Sequence, residues 1–349
     1  MPAIDSLFRQ MIEQKGSDLH LEQGQSPKAR IHGELEILPG HAPLTEAKME
    51  ELLRDIAGDA RWERYLSTGD LDFAYAIPDF ARFRANYLKH EGGYGAVFRV
   101  IPSKVLTLEE IGAPEVFKQF AGLNSGLIVV TGPTGSGKST TLAAIIDHIN
   151  ATQCRKIITI EEPVEFVHRS QQSVVIHREV GEDTRSFQTG LGGAIKSDVN
   201  IILVGEMRDR ETIELALTAA EMGILVFGTL HTNSAAKTID RIIDVFPAKQ
   251  KNQIRSQLAN ALKGIVAQQL LRSADGTRRW ASHEVLLWCQ ALPGIIRAGE
   301  SLKLSSVMQM NKGMGMQTMD DALLEMVKAG KVTLEAAYMK AQDKSRFRN

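Results

Sequence analysis

The stretch "SGLIVVTGPTGSGKSTTLAAIIDHIN", residues 125–150, limits what this chain can fold into more than any other. An apolar, β-rich run leads into three closely spaced glycines, Gly132, Gly135 and Gly137, and then into a run with helical period. Glycines at this density let the backbone curl until successive N–H groups point inward at an anion. Gly132 to Ser139 fit G-x-x-x-x-G-K-S, and the motif carries meaning only with a strand before it and a helix after it. A chance glycine turn would not need all three parts in that order. The spacing therefore predicts a phosphate cradle for ATP formed by Gly132, Pro133, Thr134, Gly135, Ser136, Gly137, Lys138, Ser139 and Thr140. The helix N-terminus near Lys138 adds a favourable dipole. Lys138 is expected to reach the β- and γ-phosphates and the Ser139 hydroxyl to ligate Mg²⁺.

Such a loop needs a sheet to hang from. From about Leu123, short apolar runs ("GLIVVTG", "KIITIEEP", "NIILVGE", "ILVFGTLH") alternate with helical stretches. That alternation predicts an α/β fold with a mostly parallel sheet covered on both faces. In such sheets ligands sit beyond the carboxyl ends of the strands. One run ends in Glu161 and Glu162, another in Gly205 and Glu206. All three carboxylates are expected on the P-loop side, one organising the water shell of Mg²⁺ and another orienting the attacking water. Any one of them alone would read equally well as a helix cap or a solvated turn. Glu206 joins Ser139 in the expected metal site, acting on Mg²⁺ through water. A third run ends in Thr229, His231, Thr232 and Asn233. A lone histidine is usually structural, but at this strand end His231 is expected to sense the γ-phosphate or hold the catalytic water.

Residues 1–100 read as a separate α+β domain. Ile4, Leu7, Phe8, Met11 and Ile12 share one face of an N-terminal helix. "SDLHLEQ" and "KARIHGELEIL" read as two strands joined by "GQSP", and "LTEAKMEELLRDIAG" as a helix ending at Gly58. "DLDFAYAI", "ARFRANYLK" and "YGAVFRVI" read as three more strands. Residues 101–114 have the composition of a linker, and 115–349 form the ATPase domain. From about residue 247 that domain is expected to be mainly helical, with a hairpin around "ADGTRRWASHEVLLW". The Met-rich run "MQMNKGMGMQTMDDALLEMV" reads as core filler or a repackable contact.

Composition excludes several classes. With 41 Lys+Arg against 42 Asp+Glu, the net charge of -1 provides no strong field for nucleic acid or a membrane surface. Two cysteines, Cys154 and Cys289, cannot form a disulfide framework or a four-cysteine zinc site, and they fit a reducing compartment. No apolar run approaches the roughly 20 residues that span a bilayer. The expectation is a cytosolic protein whose membrane contacts run through partners.

Taken together, "GSDLHLEQGQSP", "ARFRANYL", "FRVIP", "GPTGSGKSTTLAAIIDHIN", "ITIEEPVEFVH", "HREVGEDTRSF", "ILVGEMRDRETIELAL", "TLHTNSAAKTIDRIIDVFP" and "GMQTMDDAL" resemble the PilT-type ATPases of the secretion ATPase superfamily. These drive type IV pilus retraction in twitching motility. The resemblance spans almost the whole chain. It implies an N-terminal PAS-like domain, a C-terminal RecA-like ATPase domain, a hexameric ring and an inner-membrane platform protein as partner. It also implies a cytoplasmic protein, peripheral at the inner membrane through the pilus machine, and no nucleic-acid partner. By position, the resemblance makes Glu206 the Walker B acid, Glu161 the catalytic glutamate and His231 part of the histidine box. It makes Arg82, Arg84 and Arg99 the arginines that the N-terminal domain presents to nucleotide, against a bland reading as solvated strand positions. Alternation along "ARFRAN" does put Arg82 and Arg84 on one face.

The chain departs from the family pattern in several places. Glu162 replaces an aspartate, and Ile224 replaces a histidine. Gly192 and Lys196 stand where arginines are usual, and Val199-Asn200 where "PD" is usual. "ALPGII", residues 291–296, stands in place of "AIRNLI". Two functions remain open on these residues. One is an active retraction motor; the other is a weakly hydrolysing accessory ring subunit, PilU-like, that supports a paralogous retraction ATPase. An unrelated P-loop kinase would need an acceptor pocket and a lid segment, and neither is visible in the sequence.

Overall fold

The computed structural model describes residues 2–102 and 104–348; Ser103, within the stretch read as a linker, lies outside them. The chain divides into two compact units, Met1–Lys104 with Glu162–Val167, and Val105–Glu161 with His168–Asn349.

The first unit opens with α1 (Asp5–Glu13), whose Leu7, Phe8 and Met11 are buried. Strands β1 (Gly16–Glu22), β2 (Lys28–Ile31) and β3 (Glu34–Ile37) follow, then helix α2 (Glu46–Thr68). Strands β4 (Asp70–Ile77), β5 (Ala81–His90) and β6 (Gly93–Ile101) complete a six-stranded antiparallel sheet in the order β3-β2-β1-β6-β5-β4. Apolar residues alternate along β5, with Phe83, Ala85 and Tyr87 turned into the core. Phe8 stacks on Phe83 with ring centroids 4.0 Å apart, which fastens α1 to the sheet.

One expectation needs correction here. "KARIHGELEIL" is not one strand. It turns at His32 and Gly33, both with positive φ (50° and 97°), and becomes the hairpin β2–β3. Left-handed backbone at both positions is what a two-residue hairpin requires. The helix read over "LTEAKMEELLRDIAG" does break at Gly58. That glycine, at φ 73°, is non-helical, and a second helical segment of α2, not read from the sequence, follows it and brings Trp62 and Tyr65 to the core before Gly69 closes it.

The second unit begins with α3 (Val116–Ala121), β7 (Gly126–Thr131), α4 (Lys138–Thr152) and β8 (Lys156–Glu161). It continues through β9 (Val174–Glu179), α5 (Phe187–Ile195), β10 (Ile201–Val204), α6 (Arg210–Glu221), β11 (Leu225–Leu230) and α7 (Ala235–Asp244). Then come α8 (Ala248–Ala261), β12 (Leu262–Arg272), β13 (Arg279–Leu287), α9 (Leu292–Ala298) and α10 (Leu304–Met310). Helices α11 (Met319–Lys328) and α12 (Leu334–Lys340) close it. The seven-stranded sheet runs β13-β12-β7-β11-β10-β8-β9, parallel throughout except for β13. Every residue of β7, β10 and β11 is buried, as befits strands covered on both faces.

The helical region expected from about residue 247 also needs correction. Only α8 is helical there; "LKGIVAQQLLR" is β12, paired in parallel with β7, and the chain turns helical again at α9. A fully buried strand shows no alternation, so its apolar run has the same look as a buried helix. Strand β9 carries little sequence signal, because "VVIHRE" is short and places polar residues at a sheet edge. Helix α5 forms despite Gly192 and Gly193, and a reciprocal cap between Ser186 and Thr189 holds its start. Of the Met-rich run, Met308, Met316 and Met319 are core, while Met310 and Met314 are exposed. No helix among the described residues is long and apolar enough to cross a membrane.

One core histidine ties stability to pH. His283 on β13 packs edge-on against Phe117, and full burial pushes its pKa down from 6.5 to about 4. The unfolded chain therefore takes up a proton first as pH falls, so stability is lost between about 6.5 and about 4. Thermal melts over that range should show a falling Tm, and His283→Phe should flatten this component of the slope.

Candidate functional site

The loop between β7 and α4 is held by its own backbone and by β12. Gly132 has φ 151°, and a Cβ there would lie 2.3 Å from the Gln268 carbonyl oxygen. Gly137 caps α4 with φ 87°, and a Cβ there would lie 2.9 Å from Gln268 Nε2. Both positions exclude any side chain, by conformation and by space. Pro133, Thr134 and Gly135 are exposed at the tip, while Ser139 and Thr140 are half-buried in the first turn of α4. The first N–H groups of α4 lack helical partners, and the positive end of the helix lies at the loop.

Lys138 is buried and folds back, its Nζ donating to the carbonyls of Gly132 (2.9 Å) and Pro133 (3.2 Å). These carbonyls are acceptors that a phosphate can replace. Ser136 is buried with no hydrogen-bond partner for its hydroxyl among the described residues. A cradle that rejects Cβ atoms, a helix start and an unpaired buried hydroxyl together fit a phosphate group.

Gln268, on β12, carries no motif signal in the sequence, yet it braces the loop. Its Nε2 donates to the Ser136 carbonyl at 2.6 Å and its Oε1 accepts from the Thr141 hydroxyl at 2.7 Å. At 2 % exposure neither bond can be replaced by water without opening the site.

The parallel strands bring their carboxyl ends to the edge where this loop sits. Taking about 4.8 Å per strand, Glu206 at the end of β10 is about 10 Å from β7, and Glu161 at the end of β8 about 14 Å. Gly205 allows the two strand ends to approach: its N–H donates to the Ile160 carbonyl at 2.8 Å, and a Cβ there would lie 3.2 Å from Glu161 Cα. The structure brings His231 and Glu206 together, with His231 Nε2 3.1 Å from Glu206 Oε1. Arg208 Nε donates to the same oxygen at 2.6 Å. Burial pushes the Glu206 carboxyl up, but Arg208 and His231 outweigh it and hold the group below its usual 4.5. Glu206 is therefore ionised at neutral pH. A hydroxyl chain, Thr131–Thr232–Thr238, ties the end of β7 to the loop that carries His231 and to α7.

Not every expected residue gathers here. Glu162 is exposed, lies beyond the end of the strand at Glu161 and belongs to the first unit. Arg82, Arg84 and Arg99 also belong to the first unit, where each has a partner. Arg82 donates to the Val164 carbonyl at 3.2 Å. Arg84 forks onto Asp72, and Arg99 binds Asp18 at 2.7 Å. Arg84 and Arg99 are register partners on β5 and β6. Among the departures, Ile224 lies in the core at the start of β11, and Lys196 is exposed at the end of α5. Pro293 and Gly294 sit in the first turn of α9, so "ALPGII" gives a helix with a small, bare outer face.

A parallel sheet, a glycine cradle at a helix start and ionised acid at the strand ends define a P-loop nucleotide-binding α/β protein. The chain belongs to the type II/IV secretion system protein family, whose model matches residues 1–336. It is 46% identical to the type IV pilus retractation ATPase PilT of Pseudomonas aeruginosa over 344 residues, 99% of each chain. It is 36% identical over 345 residues to the type IV pilus ATPase PilU of the same organism, covering 99% of this chain and 90% of that one. Among solved structures, the pilus retraction motor PilT with bound ADP superposes with TM-score 0.91 at 39% identity, covering 99% of this chain and 98% of that one.

Gln268→Leu should leave the Ser136 carbonyl and Thr141 hydroxyl unpaired in a buried site, at a cost of about 1–3 kcal/mol. Urea unfolding should register that loss, and titration with a fluorescent ADP analogue should show weaker binding.

Proposed function

We propose that this chain is an ATP-hydrolysing motor subunit that powers type IV pilus retraction. The observation that carries the reading is the alignment, on one sheet edge, of the glycine cradle, the ionised Glu206 with His231, and Glu161. Similarity over nearly the full length to a pilus retraction ATPase, and to a retraction motor that binds ADP, supports it. In this reading Gly132 to Thr140 hold the phosphates and Lys138 exchanges its loop carbonyls for phosphate oxygens. Ser139 would hold Mg²⁺, with Glu206 acting on it through water. The bound metal would supply charge neutralisation across the β- and γ-phosphates. Glu161 accepts the proton of the attacking water, and His231 orients Glu206 and senses the γ-phosphate.

The N-terminal unit is proposed to be PAS-like and the second RecA-like, joined through residues 101–114. In the same reading the chains assemble as a hexamer in the cytoplasm, engage an inner-membrane platform protein and need no nucleic acid. Arg82, Arg84 and Arg99 would exchange their present partners for the γ-phosphate of a nucleotide in the ring. Hydrolysis then removes those contacts and biases a hinge-type change.

A second reading rests on α9. Pro293-Gly294 replaces the polar residues of a segment associated with retraction, and the chain is also similar to PilU. This favours an accessory ring subunit that binds nucleotide, hydrolyses it weakly and supports a paralogous motor.

ATP turnover by the purified protein at ring-forming concentrations separates the two. The motor reading predicts turnover that Lys138→Ala and Glu206→Ala each reduce by at least about 100-fold. Turnover no higher than in those variants would establish the accessory role. In cells, deletion of the gene should abolish pilus retraction, and normal retraction in that strain would contradict a primary motor.

A further inference from the structure

We infer that His177, on edge strand β9, is a positioning residue for Glu161; the inference rests on the proposed role of Glu161 as the base. Strand β9 pairs in parallel with β8, and His177 stands directly beside Thr159. Thr159 and Glu161, two residues apart, project from the same face of β8. His177 Nδ1 lies 2.9 Å from Thr159 Oγ1 and 4.0 Å from Glu161 Oε1. Thr159 is fully buried and the His177 ring largely so, which shields this contact from water.

The tautomer follows from the other ring nitrogen. His177 Nε2 is 3.0 Å from the backbone nitrogen of His168, whose N–H points at it. An N–H facing that atom requires a lone pair there, so the proton sits on Nδ1. The His168 carbonyl lies 3.3 Å from the same Nε2, farther and secondary to the amide. The ring is clamped a second time: the His168 ring stacks on it at 5.8 Å and 17°, with His168 Nδ1 3.6 Å from Asp147 Oδ1. Burial pushes His168 below its usual 6.5 against the pull of Asp147. A neutral His177 thus donates its Nδ1–H to the Thr159 hydroxyl, with the Glu161 carboxylate in close contact at 4.0 Å rather than hydrogen-bonded to the ring. A ring held this close by Thr159 and His168 limits the rotamers open to the Glu161 carboxylate, so that one oxygen stays aimed along the sheet edge toward the attacking water. His177 acts only through Glu161. Its effect should fall on the chemical step and spare nucleotide binding.

The test uses the full chain and measures kcat and KM for ATP, affinity for a fluorescent ADP analogue, and Tm. His177→Leu removes donor and acceptor and should lower kcat by roughly tenfold or more, since a misaimed base costs rate steeply. KM and ADP affinity should stay within about twofold, because no binding contact is lost. His177→Gln keeps an amide donor and acceptor and should recover most of kcat. Thr159→Val, nearly isosteric, should also lower kcat with KM unchanged, and it provides the same readout if His177→Leu fails to fold. Glu161→Gln run alongside should abolish turnover. Full turnover by Glu161→Gln would refute the role of Glu161 and the inference with it. An inactive Glu161→Gln beside wild-type kcat in His177→Leu and Thr159→Val would overturn the inference alone. So would parallel losses in kcat, ADP affinity and Tm that His177→Gln does not restore, since they would mark a purely structural histidine.

Discussion

Parallel pairing of β12, β7, β11, β10 and β8 is the constraint on which the site depends. It forces every carboxyl end in the row to the same edge, so that groups far apart in sequence share one surface. The P-loop follows β7, His231 follows β11, Glu206 follows β10 and Glu161 ends β8. Parallel strands need covering helices on both faces, and the unbroken burial of β7, β10 and β11 shows that cover in place. The core therefore decides where the chemistry is placed, and the polar residues at the edge decide what that chemistry is.

Backbone geometry and charge hold the site in shape. Backbone geometry holds the loop: Gly132 and Gly137 leave no room for a side chain beside Gln268, and Gln268 fills the space with two hydrogen bonds. Charge holds the acid: Arg208 and His231 keep Glu206 ionised in spite of its partial burial. The inferred support for Glu161 is of another kind, the His177–His168 pair on the edge strand and the loop before it.

Much of this was legible in the residues, and the reasons for the rest are physical. "GPTGSGKST" marks its loop because glycine spacing, a preceding strand and a following helix are all local signals. Glu161 and Glu206 were legible because an acid directly after a buried apolar run marks the point where a strand leaves the core. Strand β12 was not, since a strand buried on both faces and a buried helix present the same unbroken apolar run. Gln268 escaped for a related reason: its partners, Ser136 and Thr141, lie 132 and 127 residues away, and nothing local marks a bracing glutamine. His177 escaped because its role depends on the register of β8 against β9. The partners of Arg84 and Arg99, Asp72 and Asp18, likewise come from strand pairing and not from motif spacing.

The central claim is that cleavage of a bound triphosphate changes how the two units of the chain are arranged. The most direct measurement places one spin label on the first unit and one on the second, in the assembled protein, and records their distance distribution empty, with ADP and with ATP. The account predicts distributions that differ between the ATP and ADP states. A single distribution unchanged across all three conditions would contradict it.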